Sequence, residues 1–346
     1  MKLRLALVGF GRVGQEFVRL MLHKRDWLLG VQGLDVEVTA IATRTKGSLL
    51  SEKALDLKRI LNEIETRGTL AAYGPETTDM SAMSIIENCS ADIMIELTTL
   101  NVHSGQPAID HIKNAFRMGI DVVTANKGPV AIAYDDLKSL ASSRNARFRF
   151  EGTVMDGTPI FSLVERTLPG CTIEGLRGVL NSTTNFVLTM MTKGKSMDKA
   201  LSEAQSQGIA EADPSMDIDG WDAAAKISAL ANVFMKARST PSKVHRRGIR
   251  DIDLNSTNEA TDKNRKIKLV ASAERIGEEV ITKVSPELVG PDSPFWSVDG
   301  TSSALTLKTD LMDNITIIEQ KGGVTQTAYA VFSDMLLIAE SISSCR

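Results

Sequence analysis

The sequence has few of the features that mark a secreted, metal-binding or membrane protein. Its three cysteines, Cys89, Cys171 and Cys345, are odd in number and far apart, so they form neither a disulfide framework nor a metal-ligand spacing. No apolar run approaches the roughly 20 residues that cross a bilayer. The short apolar run at the N-terminus enters a glycine-rich turn instead of a cleavage site. We therefore expect a protein of the reducing cytoplasm.

The chain also lacks an excess of charge of one sign. Its formal net charge is −3, with both signs interspersed. The most basic stretch, residues 236–268, contains none of the aromatic residues that stack on nucleic-acid bases. We interpret it as solvated surface with short strands, and we expect neither a nucleic-acid nor a membrane partner.

A length of 346 residues, 42% of them hydrophobic and 24% charged, predicts a soluble protein of two domains. In the first domain, residues 1–150, strands alternate with helices, which predicts an α/β fold with a parallel sheet. The first strand runs into Gly9-x-Gly11-x-x-Gly14 and then an amphipathic helix. This is the arrangement of a Rossmann-type dinucleotide site, in which the glycines let the backbone approach a pyrophosphate at the helix N-terminus.

The end of the second strand favours NADP over NAD. An NAD site usually has an acidic residue there, which binds the ribose 2′-hydroxyl. This chain has Thr43, Arg44, Thr45 and Lys46 instead, two hydroxyls and two cations that suit a 2′-phosphate. The alternative is that Arg44 and Lys46 only solvate a loop.

Two further strands are predicted within residues 91–101 and 119–131, followed by a helix over about 133–145 and a strand over 146–152. Ligands of open α/β sheets bind beyond the carboxyl ends of the strands. Polar residues gather at those ends, namely Glu96, Thr98, Thr99, Asn126 and Lys127.

The stretch EADPSMDIDGWDAAAK, residues 211–226, admits three interpretations. A calcium loop aligned on Asp217 and Asp219 would need a glutamate where Lys226 stands, which excludes it. A solvated acidic face remains open for Asp219. The third interpretation is a catalytic corner, because Asp222 and Lys226 are four residues apart on one face of an apolar helix.

Nearly the whole chain resembles the homoserine dehydrogenases, in the short monofunctional form without a regulatory domain. The matching segments are VGFGRVG, VVTANKGPVA, EGTVMDGTPI, LNSTTNF, GIAEADPSMDIDGWDAAAK, GIRDI and TAYAVFSDML. The resemblance implies a Rossmann domain over 1–150, an α+β domain for substrate binding and dimerisation over 151–320, and a C-terminal helix over 321–346 that returns to the first domain.

The resemblance also implies a reaction, the reversible NAD(P)-dependent oxidation of L-homoserine to L-aspartate 4-semialdehyde in threonine, methionine and isoleucine biosynthesis. It assigns proton transfer and orientation to Lys226 and Lys127, with Asp222 at the reacting oxygen. The substrate would be bound by Glu211, Asp217, Asp222, Asn181 and Thr183. The cofactor would be bound by Gly9, Phe10, Gly11, Arg12, Val13, Gly14, Arg44, Lys46, Thr98, Thr99, Asn126, Lys127 and Gly323.

A lysine suits the reaction because hydride addition to a carbonyl builds an alkoxide that needs a proton. A second cation and an apolar wall nearby predict a lowered lysine pKa. The alternatives are that Lys127 only contacts the cofactor and that Lys226 only forms a salt bridge with Asp222.

The resemblance further implies a homodimer and a monovalent-cation site, such as for Na+, built largely from backbone carbonyls at Glu151, Val154, Asp156 and Thr158. Two residues depart from the usual family sequence. Asp156 stands where a small residue is common, and Ser182 replaces the glycine of NGTTN.

Two rival functions remain. Another NAD(P)-dependent amino-acid dehydrogenase would have to change its specificity through Ser182 or Asp156. A catalytically idle NADP-binding protein should have lost at least one of Lys127, Glu211, Asp222 and Lys226, and all four are present.

Overall fold

The computed structural model describes residues 1–344, and Cys345 lies outside them. The N-terminal part forms a seven-stranded sheet in the order β4-β3-β2-β1-β5-β6-β7. Five of these strands are parallel, and β3 and β4 add an antiparallel edge. The Rossmann-type fold is thereby confirmed. The strands are β1 Lys2–Val8, β2 Asp35–Ala42, β3 Ser48–Leu50, β4 Thr77–Thr78, β5 Ile93–Glu96, β6 Asp121–Thr124 and β7 Phe148–Arg149.

Helices connect these strands, and the last of them begins earlier than predicted. They are α1 Arg12–His23, α2 Arg25–Gly30, α3 Leu57–Arg67, α4 Ala82–Asn88, α5 Ala108–Arg117 and α6 Lys127–Ser143. The helix predicted from about residue 133 corresponds to the second part of α6, after a kink at Ala133 where the backbone is non-helical, and the prediction missed the first part. The Asn126 side chain accepts a hydrogen bond from the Gly128 N–H, which caps the helix directly after β6. Lys127 is therefore the first residue of a helix and not part of a strand.

Two predicted strands end where their polar residues begin, and a third is shorter than predicted. The strand within 91–101 ends at Glu96, where the side chain of Glu96 binds the backbone of Thr98 and turns the chain. The strand within 119–131 ends at Thr124. The strand predicted over 146–152 covers only Phe148–Arg149, because two turns of 3₁₀ helix, Glu151–Thr153 and Met155–Gly157, follow at once.

The second half of the chain builds a six-stranded sheet in the order β13-β12-β8-β10-β11-β9. It is antiparallel except for the pair β11 and β9. The predicted second α+β unit is confirmed. Its strands are β8 Ile173–Val179, β9 His245–Arg246, β10 Lys266–Ile276, β11 Glu279–Val289, β12 Ser303–Thr309 and β13 Asn314–Glu319.

One face of this sheet is covered by helices α7 Phe161–Thr167, α8 Ser182–Thr192, α9 Met197–Ser206, α10 Ser215–Ile218, α11 Trp221–Met235 and α12 Leu254–Asp262. Helix α11 is central because its alanines and Ile227 are almost fully buried. Helix α12 falls in the basic stretch, where only short strands were expected. The side chain of Asp253 caps it by accepting the N–H of Ser256, a local signal that the charge pattern concealed.

The last helix, α13 Val324–Ser344, returns to the first sheet and packs against α1. Thr325 donates a hydrogen bond to Glu16 of α1 at 3.1 Å, and Phe332 contacts Trp27. None of the helices in residues 1–344 combines the length and the apolar character needed to cross a membrane.

Candidate active site

The glycine turn after β1 has the shape that a dinucleotide requires. Gly9 has φ +97, and a Cβ there would lie 2.5 Å from the carbonyl oxygen of Leu97, so only glycine fits. A Cβ at Gly11 would meet no atom within 4 Å, which leaves open space beside the start of α1. Among residues 1–344, no side chain caps that helix, so its first N–H groups are free to bind an anion. These residues fit a pyrophosphate.

The predicted 2′-phosphate residues follow β2, in a turn that Thr43 holds together. Thr43 donates to the carbonyl of Gly47 at 2.7 Å and accepts the N–H of Lys46 at 2.9 Å. Lys46 Nζ donates to the carbonyl of Phe10 at 3.0 Å, which joins this turn to the glycine turn. Arg44 is exposed and forms no hydrogen bond or ion pair with residues 1–344.

A buried hydrogen-bond network joins the carboxyl ends of β5 and β6. The Glu96 carboxylate is fully buried and accepts the Thr98 N–H at 3.0 Å, the Thr98 hydroxyl, and the Thr124 hydroxyl at 2.9 Å. Thr124 Oγ1 accepts the N–H of Asn126, and Asn126 Nδ2 donates to the carbonyl of Thr98. Burial raises the pKa of Glu96 to about 7, although the hydrogen bonds from Thr98 and Thr124 oppose the shift.

The two predicted lysines meet on one carboxylate. Lys127 Nζ lies 3.1 Å from Asp222 Oδ1, and Lys226 Nζ lies 2.9 Å from Asp222 Oδ2. Lys226 also donates to the carbonyl of Leu180 at 2.7 Å. Burial raises the pKa of Asp222, but the charges of both lysines lower it more, and it ends well below its usual range. Asp222 is therefore an ionised bridge between α6 and α11.

Asn181 adds a second carboxylate to this cluster. Its Nδ2 donates to Asp217 Oδ1 at 2.6 Å and to Asp222 Oδ2 at 2.9 Å, while its Oδ1 caps α8 at the Thr184 N–H. Thr183 donates to the carbonyl of Ile209 at 3.2 Å, and its hydroxyl also interacts with Asp217. Burial and the neighbouring charge of Asp222 raise the pKa of Asp217. The Asn181 amide thus contacts two carboxylates whose pKa values are shifted in opposite directions, Asp217 upward and Asp222 downward.

The expected lowering of the lysine pKa was wrong for Lys226. Burial does lower it, but the carboxylates of Asp222, Asp156 and Asp217 raise it more, and the net pKa is above its ordinary value. The predicted lowering rested on a second cation and an apolar wall and left out these three carboxylates. Lys226 is accordingly protonated at neutral pH in this state.

Other carboxylates of the 211–226 stretch stay apart from the cluster. Glu211 is exposed, and its side chain contacts no partner in residues 1–344. Asp213 only binds the N–H of Ser215, within its own turn. Asp219 forms a two-pronged ion pair with Arg250 at 2.8 and 3.0 Å, which agrees with the solvated-surface interpretation.

The side chains at the four cation-site positions do not themselves form a cation site. The Glu151 carboxylate accepts three backbone N–H groups, from Ile160, Phe161 and Ser162, at 2.6 to 2.8 Å. Val154 is buried and apolar. Within residues 1–344, no three His, Cys, Asp or Glu side chains are arranged to hold a metal. A cation here would depend on main-chain carbonyls, including that of Thr158.

Glu319 lies next to Asp156 and was not identified from the sequence as part of the site. A side chain on Gly322 would collide with the carboxylates of Asp156 and Glu319, which places the two acids side by side. Burial and the charge of Asp156 raise the pKa of Glu319 to about 7, while the charge of Lys226 opposes the shift. Gly323 follows this pair, and its carbonyl accepts bonds from Thr327 at the start of α13.

Two contributors had a weak sequence signal. Glu96 and Glu319 each end an otherwise apolar or alternating strand, IMIE and NITIIE, and an acid in that position is unusual enough to mark it. The carbonyl of Leu180, which binds Lys226, has no side-chain signature at all.

A dinucleotide turn beside a bridged pair of lysines defines an NAD(P)-dependent oxidoreductase that acts on a CH–OH group. Residues 9–151 match the family described as "Homoserine dehydrogenase, NAD binding domain", and residues 159–336 match that described as "Homoserine dehydrogenase". The chain belongs to the homoserine dehydrogenase family.

Individual relatives agree along the full length. The chain is 37% identical to a homoserine dehydrogenase of Sulfurisphaera tokodaii over 97% of this chain and 98% of that protein. It is 34% identical to an NAD(+)-dependent homoserine dehydrogenase of Pseudomonas canavaninivorans, over 98% and 96%. The structure matches a hyperthermophilic archaeal homoserine dehydrogenase in complex with NADPH, with a TM-score of 0.81, 33% identity and 97% of each chain covered.

Proposed function

We propose that this homoserine dehydrogenase prefers NADP and serves threonine, methionine and isoleucine biosynthesis. The observation that carries the cofactor preference is Arg44, an exposed guanidinium without a partner in residues 1–344, at the strand end where an NAD site has an acid. Arg12, exposed at the first position of α1, adds a second cation to the same edge. Relatives include an NAD(+)-dependent enzyme and one solved with NADPH, so the preference is a property of each chain.

Replacement of Arg44 tests this preference. We expect Arg44→Ala to lower kcat/KM for NADPH about 10-fold, the value of one charge-assisted contact, and to change kcat/KM for NADH less than twofold. Arg144→Ala is a matched control, since Arg144 is an exposed arginine at the far end of α6. Equal loss with both cofactors would contradict a 2′-phosphate contact.

We infer that the Lys127–Asp222–Lys226 bridge performs the proton transfer. The cofactor supplies or accepts the hydride, so the protein has to provide a proton at the carbonyl oxygen. Because its carboxylate neighbours raise the pKa of Lys226, Lys226 holds that proton at neutral pH and acts as the acid of aldehyde reduction. In the oxidation direction, the substrate ammonium and the oxidised nicotinamide bring positive charge that lowers this pKa.

Lys127 orients Asp222 from the opposite domain. Its Nζ binds Asp222 Oδ1 and leaves Oδ2 to Lys226 and Asn181. Ionised Asp222 therefore keeps both lysines at one point, where the substrate oxygen would be bound. Glu211 remains the proposed ligand of the substrate ammonium although its side chain stands apart from the cluster, and Asn181, Thr183 and Asp217 within the cluster are the other proposed substrate ligands.

The outer face of the second sheet supports a homodimer. Ile281 and Ile318 are exposed there at 40% and 46%. The same sheet carries an open cavity of 490 Å³ lined by Arg177, Glu274, Phe295, Thr306 and Thr316. Exposed apolar residues on a sheet face that no helix covers indicate an association surface. Light scattering of wild type and Ile318→Lys tests this proposal, and a monomeric wild type would contradict it.

We further propose a division into residues 1–150, 151–320 and 321–346, with the last segment serving the first domain through Gly323. A cytoplasmic location fits the free thiols of Cys89 and Cys171. We also propose a monovalent cation, such as Na+, at the main-chain carbonyls of Glu151, Val154, Asp156 and Thr158.

A further inference from the structure

Glu96 is a fully buried acid that the proposed chemistry does not use. It is the last residue of β5, between Val8 of β1 and Thr124 of β6. No cation of residues 1–344 lies against it, and its partners are the hydroxyls of Thr98 and Thr124 and the Thr98 N–H. A buried carboxyl without an ion pair is costly, so its contacts must be considered one by one.

One carboxylate oxygen of Glu96 binds the turn on the cofactor side of the site. Glu96 Oε1 accepts both donors of Thr98, which fixes the turn after β5. That turn packs directly on the glycine turn, since a Cβ at Gly9 would lie 2.5 Å from the Leu97 oxygen and 2.8 Å from the Thr98 nitrogen. Glu96 therefore sets the position of the turn against which the dinucleotide loop rests.

The other carboxylate oxygen of Glu96 is linked through hydrogen bonds to the start of α6, where Lys127 lies. Glu96 Oε2 accepts the Thr124 hydroxyl, whose oxygen accepts the N–H of Asn126 at 3.0 Å. Asn126 bridges back to the Thr98 carbonyl and caps α6, and Lys127 is the next residue. The loops that follow β5 and β6 are thus joined through the Glu96 side chain.

We propose that Glu96 is a positioning residue, which fixes Lys127 relative to the cofactor through Thr98, Thr124 and Asn126. It touches neither substrate nor cofactor and acts only through these partners. The inference rests on the proposed role of Lys127 in the Lys127–Asp222–Lys226 bridge. A glutamine at position 96 fits the same contacts. Its amide oxygen accepts from Thr98, and its amide nitrogen donates to Thr124 Oγ1. The Thr124 hydroxyl then donates to the backbone carbonyl of residue 96, which is 3.1 Å away.

The test is a set of kinetic comparisons on the full-length enzyme, with homoserine and NADP. We expect Glu96→Ala to lower kcat about 10- to 100-fold, the effect of a misplaced catalytic group, and Glu96→Gln to stay within threefold of wild type. Glu96→Asp withdraws the carboxylate by one methylene and serves if the alanine variant does not fold. Asp121→Asn is the control, because Asp121 is a buried acid at the opposite end of β6.

A double-mutant cycle separates positioning from a general loss of structure. If Glu96 acts through Lys127, Glu96→Ala (or Glu96→Asp) should lower kcat no further once Lys127→Ala is present. An additive loss, a silent Glu96→Ala and Glu96→Asp, or a Glu96→Gln as slow as Glu96→Ala would each overturn the inference. A silent Lys127→Ala would instead overturn the proposed role of Lys127, and the inference with it, so the silent variant identifies which claim failed.

Discussion

Lys226 and Asp222 lie 2.9 Å apart on the same face of α11, and each makes a second contact outside that helix. Lys226 donates to the carbonyl of Leu180, directly after β8, and Asp222 binds Lys127 of α6 in the first domain. An i,i+4 ion pair on a helix surface is worth only a few tenths of a kcal/mol. Both side chains are largely buried and share their contacts, which supports the proposed catalytic role of this pair over that of an ordinary surface ion pair.

Removal of the Asp222 charge should uncouple the two lysines. Asp222→Asn retains the shape but removes the carboxylate that bridges the two ammonium groups, and the loss of this nearest anion lowers the pKa of Lys226. We expect kcat to fall about 100-fold, with the pH profile of aldehyde reduction losing its alkaline activity at a lower pH. Steady-state rates from pH 6 to 10 check this. Asp213→Asn is the control from the same stretch, and an equal effect there would contradict the prediction.

Two glycines of the cofactor turn should fail in different ways. Gly9→Ala forces a Cβ into the Leu97 carbonyl at a positive φ, so we expect a loss of stability of about 2 kcal/mol or more. Gly11→Ala meets no protein atom and should change stability by less than about 1 kcal/mol. Its methyl group occupies the space for the pyrophosphate, so NADPH binding should weaken. Thermal unfolding and NADPH titration distinguish the two, and a Gly11→Ala that binds NADPH normally would contradict the placement of the pyrophosphate.

Asp334 should make the protein less stable as the pH rises. Burial raises its pKa to about 8, and the charge of Glu151 adds to the shift, while the Glu151 N–H that it accepts at 2.7 Å opposes it. A raised carboxyl pKa contributes stability below about pH 4, and this stability is lost as the pH rises through 8. Asp334→Asn still accepts that N–H but does not ionise. It should therefore avoid a decrease of up to about 5 kcal/mol in the free energy of unfolding at high pH.

Chemical denaturation at pH 5, 7 and 9 measures this loss. The variant should gain on wild type from pH 5 to about 8, and the difference should level off by pH 9. Asp198→Asn, an exposed acid in the first turn of α9, should follow the wild type at every pH. A wild type and an Asp334→Asn with parallel curves would show that Asp334 is not titrating in this range.

The sequence allowed the fold to be predicted, and parts of the candidate site where a residue type is required by its backbone or its chemistry. Gly9 and Gly11 are such cases, as is the predicted helix face shared by Asp222 and Lys226. The contact of Lys127 with Asp222 joins positions far apart in the chain, and only the resemblance brought them together.

The errors have local physical reasons. Helix α6 begins at Lys127 because one asparagine caps it, a detail that an apolar run conceals. Helix α12 was missed because its basic surroundings resembled loop. The pKa of Lys226 depends on Asp156 and Asp217, and Asp156 is far from it in sequence. The contact between Asp156 and Glu319 depends on tertiary packing that no local pattern encodes.

The most direct test of the central claim is the rate of NADPH oxidation with aspartate semialdehyde for wild type and Lys226→Ala, together with NADPH titration of both. The account predicts that wild type turns over, that kcat of the variant falls at least about 1000-fold, and that both bind NADPH with similar affinity. A variant that binds NADPH and retains its turnover would contradict the assignment of the proton to Lys226.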